Sequence, residues 1–146
     1  MEIERKFLIK KLPENQEQFP HLEIEQAYLC KEPVVRIRRE IEHYYMTYMG
    51  KGLMVREEYN LPLSQEAYEH LKNKADGNVI HKTRYLIPEK NDLTIELDIF
   101  HDALAPLILA EVEFPTQEDA LSYVMPDWFQ EDVTNNPSYH NSNMTG

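Results

Sequence analysis

Among the stretches of this 146-residue chain that set charged side chains two residues apart, six stand out. They are Glu2, Glu4 and Lys6; Arg36 and Arg38; Arg56 and Glu58; Lys82 and Arg84; Glu96 and Asp98; and Glu111 and Glu113. Residues at i and i+2 share one face of a β-strand. Like charges held side by side repel unless an opposite charge lies between them. Paired carboxylates suit a hard divalent cation, and paired guanidinium or ammonium groups suit phosphate or carboxylate oxygens. A metal–polyphosphate complex answers both demands. The opposing reading turns the same charges to water, outside a sandwich packed on its apolar face. Spacing leaves both open, because charged pairs at i, i+2 arise at roughly 8% of positions by chance at this composition.

The elements that must carry these residues follow a period of two. Strands are predicted over 2–9, 23–29, 34–41, 44–50, 54–61, 79–87, 93–100 and 109–114. On the seventh, Thr94, Glu96 and Asp98 oppose Leu93, Ile95, Leu97 and Ile99; on the last, Glu111 and Glu113 oppose Ala110, Val112 and Phe114. The fourth offers Thr47, Met49 and, two residues on, Lys51. Ser64 can cap a helix over "QEAYEHLKNKAD" that stops at Gly77, and Thr116 can cap one over "QEDALSYV" that ends before Pro126. Residues 10–22 and 101–107 read as loops, and the polar stretch 134–146 as a tail ordered in part at most. The fold class is α+β, mainly β: many short strands with few helices suggest a sandwich or a closed barrel, and the recurring polar face favours the barrel. No linker divides the chain, so 1–146 is read as one domain.

Composition narrows the function. A formal charge of −11, from 15 Lys and Arg against 26 Asp and Glu, argues against a nucleic-acid binder, whose affinity rests on a positive surface. Four glycines and no Gly-rich phosphate motif argue against a P-loop or dinucleotide fold. The single Cys30 excludes an internal disulfide and a cysteine zinc cluster. The six histidines share no ligand spacing and read as surface or packing residues, as Trp128 and Phe129 read as core. Nothing has the pattern of a signal peptide or a membrane span, and the cytoplasm is the default location.

Laid out in order, Glu2-x-Glu4-x-Lys6, "VVRIRRE", "HKTRY", "IELDIF", "LAEVEF" and "DWF" resemble the CYTH superfamily of triphosphate tunnel metalloenzymes, its short bacterial members most of all. The resemblance spans almost the whole chain. It implies a closed, eight-stranded antiparallel barrel with flanking helices and the charged face inside. It also implies a triphosphate substrate and a Mg²⁺ or Mn²⁺ cofactor. Inorganic triphosphate hydrolysis is the implied activity; a class IV adenylyl cyclase making cyclic AMP from ATP and a non-catalytic polyphosphate-binding module are the alternatives.

Carried over residue by residue, the resemblance assigns phosphate oxygens to Lys6, Arg36, Arg38, Arg56, Lys82 and Arg84. Metal ligation falls to Glu2, Glu4, Glu111 and Glu113, with Glu58, Glu96 and Asp98 completing an acidic wall. Glu4 and Lys6 are expected to be essential for catalysis, and Tyr28 and Tyr139 to face the tunnel. Met49 stands where close relatives carry a lysine, and Lys51 is expected to substitute in part. The outward apolar residues must be covered by the two helices or by a second copy in a homodimer.

Overall fold

The computed structural model describes all residues 1–146. Ten strands form: β1 (Glu2–Ile9), β2 (His21–Lys31), β3 (Val34–Glu40), β4 (His43–Met49), β5 (Val55–Arg56), β6 (Glu58–Pro62), β7 (Asp76–Pro88), β8 (Thr94–Phe100), β9 (Ile108–Glu113) and β10 (Phe129–Asp132). They pair antiparallel in the order β10-β1-β9-β8-β7-β2-β3-β4-β6. β5 closes the ring on β1, with Glu2 opposite Arg56 and Ile3 opposite Val55. β5 and β6 are one strand interrupted at Glu57, so the closed circuit holds the eight strands expected. β10 is additional: it shares β1's outer edge with β5, pairing at Phe7–Ile9.

The register turns the charged residues inward. Glu4 lies opposite Glu113 and Lys6 opposite Glu111, while the intervening Arg5, Phe7 and Val112 point out. Outside β1, β8 and β9, Phe7, Leu97, Ala110, Val112 and Phe129 pack with Ala120 of α2 (Gln117–Ser122) into one core cluster. Fully burying such a side chain stabilises by roughly 1.5–3 kcal/mol. A second cluster joins Ala27, Ile37 and Tyr68 beneath α1 (Gln65–Lys72). Both helices start as expected: the Ser64 hydroxyl accepts from the Ala67 N–H and the Thr116 hydroxyl from the Asp119 N–H, each at 3.1 Å. Glu25, on β2's outer face, pins α1 down by accepting from the Tyr68 hydroxyl at 2.7 Å and Lys72 Nζ at 2.9 Å.

The barrel interior changes character along its length. On six strands the inward face runs from charged or polar to apolar: Leu8 follows Lys6, Val34 precedes Arg36, Met49 follows Thr47, Ile80 precedes Lys82, Phe100 follows Asp98, and Leu109 precedes Glu111. These residues pack together with Tyr28, Val133, Tyr139 and Met144 as an apolar floor.

The segment after β10 corrects the expectation of a partly ordered tail. Two short 3₁₀ turns, Pro137–Tyr139 and Asn141–Asn143, fold it across the barrel, and Val133, His140, Asn141, Ser142 and Thr145 are buried. The Asn78 N–H donates to the Thr145 carbonyl at 2.7 Å. Gly77 allows this approach: its φ is +68°, and a Cβ there would lie 2.5 Å from that carbonyl oxygen. No helix is long and apolar enough to cross a membrane.

Candidate functional site

The polar half of the interior is a cavity of about 300 Å³. It gathers Glu2, Glu4, Lys6, Arg36, Arg38, Arg56, Glu58, Lys82, Arg84, Glu96, Glu111 and Glu113, twelve of the fourteen residues singled out from the sequence. Tyr28 lines it as well; Tyr139 does not, though its carbonyl lies 3.5 Å from Lys6 Nζ. No histidine lines it.

Two expectations are corrected. Lys51 is exposed and lines an adjoining groove that shares Val34, Met49, Arg56 and Ser142 with the charged cavity, because β4 ends at Met49 and the chain turns away at Gly50. Asp98 is fully buried behind the wall: its carboxylate takes two bonds from Arg84, at 2.7 and 2.9 Å, and pairs with Lys82 Nζ at 2.8 Å. It is spent on orienting cations and has no free face toward a metal. Met49, 3% exposed, belongs to the apolar floor with Tyr28 and Val34.

The cations divide by how far acids satisfy them. Arg84 is the most fully engaged, donating four bonds in all: two to Asp98, one to Glu96 at 2.9 Å and one to Glu111 at 3.1 Å. Lys6 reaches Glu111 at 3.0 Å and Glu4 at 3.9 Å. Arg56 has only a long contact with Glu2, at 3.8 Å. Arg36 has no carboxylate within 4.0 Å: it is 9% exposed, its one bond to Thr47 Oγ1 is 3.5 Å, and its buried Nε has no partner. A buried guanidinium without a counter-anion is costly unless a ligand supplies one.

The acidic wall is equally strained. Glu4, Glu96 and Glu111 each place a carboxylate oxygen within 4.8 Å of the others. Burial pushes Glu4 up to about 8, and Glu111 adds to the push. Burial, then Glu4 and Glu58, push Glu2 up to about 10. Burial also raises Glu96 and Glu113, where nearby carboxylates reinforce it. Glu111 behaves oppositely: burial would raise it, but Lys6 and Arg84 hold it well below the usual carboxylate range. Lys82 is pulled down to about 8 by burial against the attraction of Asp98. Three crowded oxygen donors, two of them on carboxyls driven to keep their protons, fit a hard divalent cation.

Two residues that matter here escape a search for charges. Gln26, fully buried, accepts from Arg38 Nε at 2.9 Å, and Asn141 accepts from Lys82 Nζ at 3.1 Å. Gln26 lies in register with the inward face of β2, two residues before Tyr28, and that spacing was its only sequence signal.

No protein-family model matches the chain. An inorganic triphosphatase from Nitrosomonas europaea is 34% identical over 143 residues, spanning 96% of this chain and 93% of that protein. One from Acetivibrio thermocellus is 33% identical over 120 residues, spanning 80% of this chain and 74% of its own length. A solved structure of an inorganic triphosphatase superposes with a TM-score of 0.72 at 32% identity, covering 99% of this chain and 94% of the other.

Proposed function

Because the chain belongs to the CYTH superfamily of triphosphate tunnel proteins, we propose that it hydrolyses inorganic triphosphate inside the barrel, with Mg²⁺ or Mn²⁺ held on the acidic wall. The observation that carries this reading is Arg36, a buried cation with no acid partner, facing a cavity it shares with Arg38, Arg56 and Lys82. A polyanion supplies the missing charge. The cavity's hydrophobic lining is limited to Tyr28, Val34, Tyr45 and Met49, and most of that sits at the floor, which favours a compact inorganic anion over a nucleotide.

Glu4, Glu96 and Glu111 would hold the divalent cation, with Glu2 and Glu113 beside them. A bound cation would neutralise charge shared between these carboxylates and the phosphate oxygens. The chain's own groups do the rest. Arg36, Arg38, Arg56 and Lys82 bind non-bridging oxygens and fix the phosphate chain along the barrel. Lys6, set between Glu4 and Glu111, keeps the two carboxylates apart and presents a movable positive charge to the site. Water attacks the terminal phosphorus, the P–O bond to the remaining diphosphate breaks, and phosphate and pyrophosphate leave. The rigid cations stabilise the charge that spreads over the transferring group.

The test is a substrate panel: phosphate release from triphosphate, ATP and thiamine triphosphate, and cyclic AMP formation from ATP, each with Mg²⁺, Mn²⁺ or chelator. Metal-dependent release from triphosphate above the others is expected. Cyclic AMP as the main product, or tight triphosphate binding without turnover, would overturn the assignment.

A further inference from the structure

A chain of buried hydrogen bonds links the cationic wall from one strand to the next, and Asn141 at its centre lines the cavity as well. Arg38 Nε donates to Gln26 Oε1 at 2.9 Å. Gln26 Nε2 donates to Asn141 Oδ1 at 2.9 Å, and Lys82 Nζ donates to the same oxygen at 3.1 Å. Lys82 continues to Asp98, and Asp98 to Arg84. Gln26 is fully buried and Asn141 nearly so. Two strands, β2 and β7, and the folded-back C-terminal segment therefore meet at one amide oxygen.

The choice of amides has an electrostatic consequence. Where a carboxylate holds a cation, as Asp98 and Glu111 hold Arg84, it fixes the geometry but cancels the charge. An amide oxygen accepts the same hydrogen bond and leaves the full positive charge. Arg38 and Lys82 line the cavity; each has one carboxylate partner, Glu40 at 3.2 Å and Asp98 at 2.8 Å, and donates a further orienting bond to an amide oxygen, which adds no second negative charge. We infer that Gln26 and Asn141 are positioning residues that aim Arg38 and Lys82 at the phosphate chain without adding a second negative charge beside either, so that the C-terminal segment completes the substrate site. The inference rests on the triphosphate reading above. It also accounts for a polar residue at the inward position of β2, where a charge of either sign would disturb the wall.

The test uses isosteric charge changes in the full chain, Asn141→Asp and Gln26→Glu. Both keep the oxygen that accepts from the cation; Asn141→Asp gives up no hydrogen bond, so a merely structural role would survive it, whereas Gln26→Glu also loses the Nε2 donation to Asn141 and is read beside it. The Kd for triphosphate is measured by calorimetry with Mg²⁺ present, KM and kcat by phosphate release, and folding by thermal melting. Asn141→Asp is expected to melt near the parent and Gln26→Glu somewhat lower, and each to weaken Kd and raise KM by roughly tenfold or more while changing kcat far less. Asn141→Ala, which removes the oxygen, should weaken binding as well. Parental Kd and KM in both charge variants would overturn the inference, even if Asn141→Ala fails to fold. A parent that releases no phosphate from triphosphate overturns the hydrolytic reading instead, and the Kd comparison still decides the role of the two amides.

Discussion

Replacing Arg36 by methionine should make the empty protein more stable and the loaded protein weaker. Arg36 is 9% exposed, has no carboxylate within 4.0 Å, and buries an unpartnered Nε. An unsatisfied buried donor costs about 1–3 kcal/mol, and an uncompensated buried charge costs more. The cavity is open to water, which offsets part of this, so a gain of about 1–2 kcal/mol on Arg36→Met is the working figure. For a domain of this size that raises the melting temperature by about 2–8 °C. With ligand the sign reverses. Charge-assisted hydrogen bonds to phosphate contribute about 1.5–3 kcal/mol, so triphosphate Kd should weaken by about 10- to 150-fold. The assay is a melt of parent and variant without ligand, then with triphosphate and Mg²⁺, paired with calorimetric Kd. A variant that melts lower than the parent when empty and binds triphosphate at parental affinity would refute the reasoning, because Arg36 would then be a structural residue.

Glu4→Gln and Lys6→Ala should each lower metal-dependent phosphate release by on the order of 10²–10³, checked by steady-state kinetics; normal turnover in both would remove the site from the acidic wall. The raised pKa values of Glu2 and Glu4 set a pH dependence: the folded protein keeps protons that the unfolded chain releases near 4.5. Stability of the metal-free protein should therefore fall as pH rises from about 5 to about 8, by at most about 1.4 kcal/mol per unit for each group. Denaturant titrations across that range check it, and saturating Mg²⁺ should flatten the slope. Gly77→Ala meets both a φ of +68° and the Thr145 carbonyl at 2.5 Å. It should cost about 1–3 kcal/mol, expose the segment after Thr134 to protease, and weaken triphosphate binding.

How much was legible in the sequence depended on whether period-two charge was the signal. The inward sets on β1, β3, β7, β8 and β9 alternate strictly, and ten of the eleven residues they nominate share one cavity. Lys51 failed because register extends only as far as the strand, and β4 stops two residues earlier. Asp98 is on the expected face, but two cations reach it from β7 before any metal could. β10 was missed because four residues, Phe129–Asp132, are too few to show a period. Composition hides the order of the last segment: Asn, Ser and Thr are poor core formers, but here Asn136, Asn141 and Asn143 bond within the segment and to the barrel wall. Gln26 carries no charge, so nothing in a survey of charges could reveal it.

The pairs that build the cavity join residues far apart along the chain. Lys6 meets Glu111 across 105 positions, Lys82 meets Asn141 across 59, and the ring closes only when Glu2 finds Arg56. Loop-closure entropy opposes each of these contacts until the strands between them are already paired. Helix caps and hairpins can form early and locally; the phosphate site forms after them. The appearance of triphosphate binding during refolding thus marks the final step of assembly, and a partly folded chain, however rich in strand, has no place to hold the ligand.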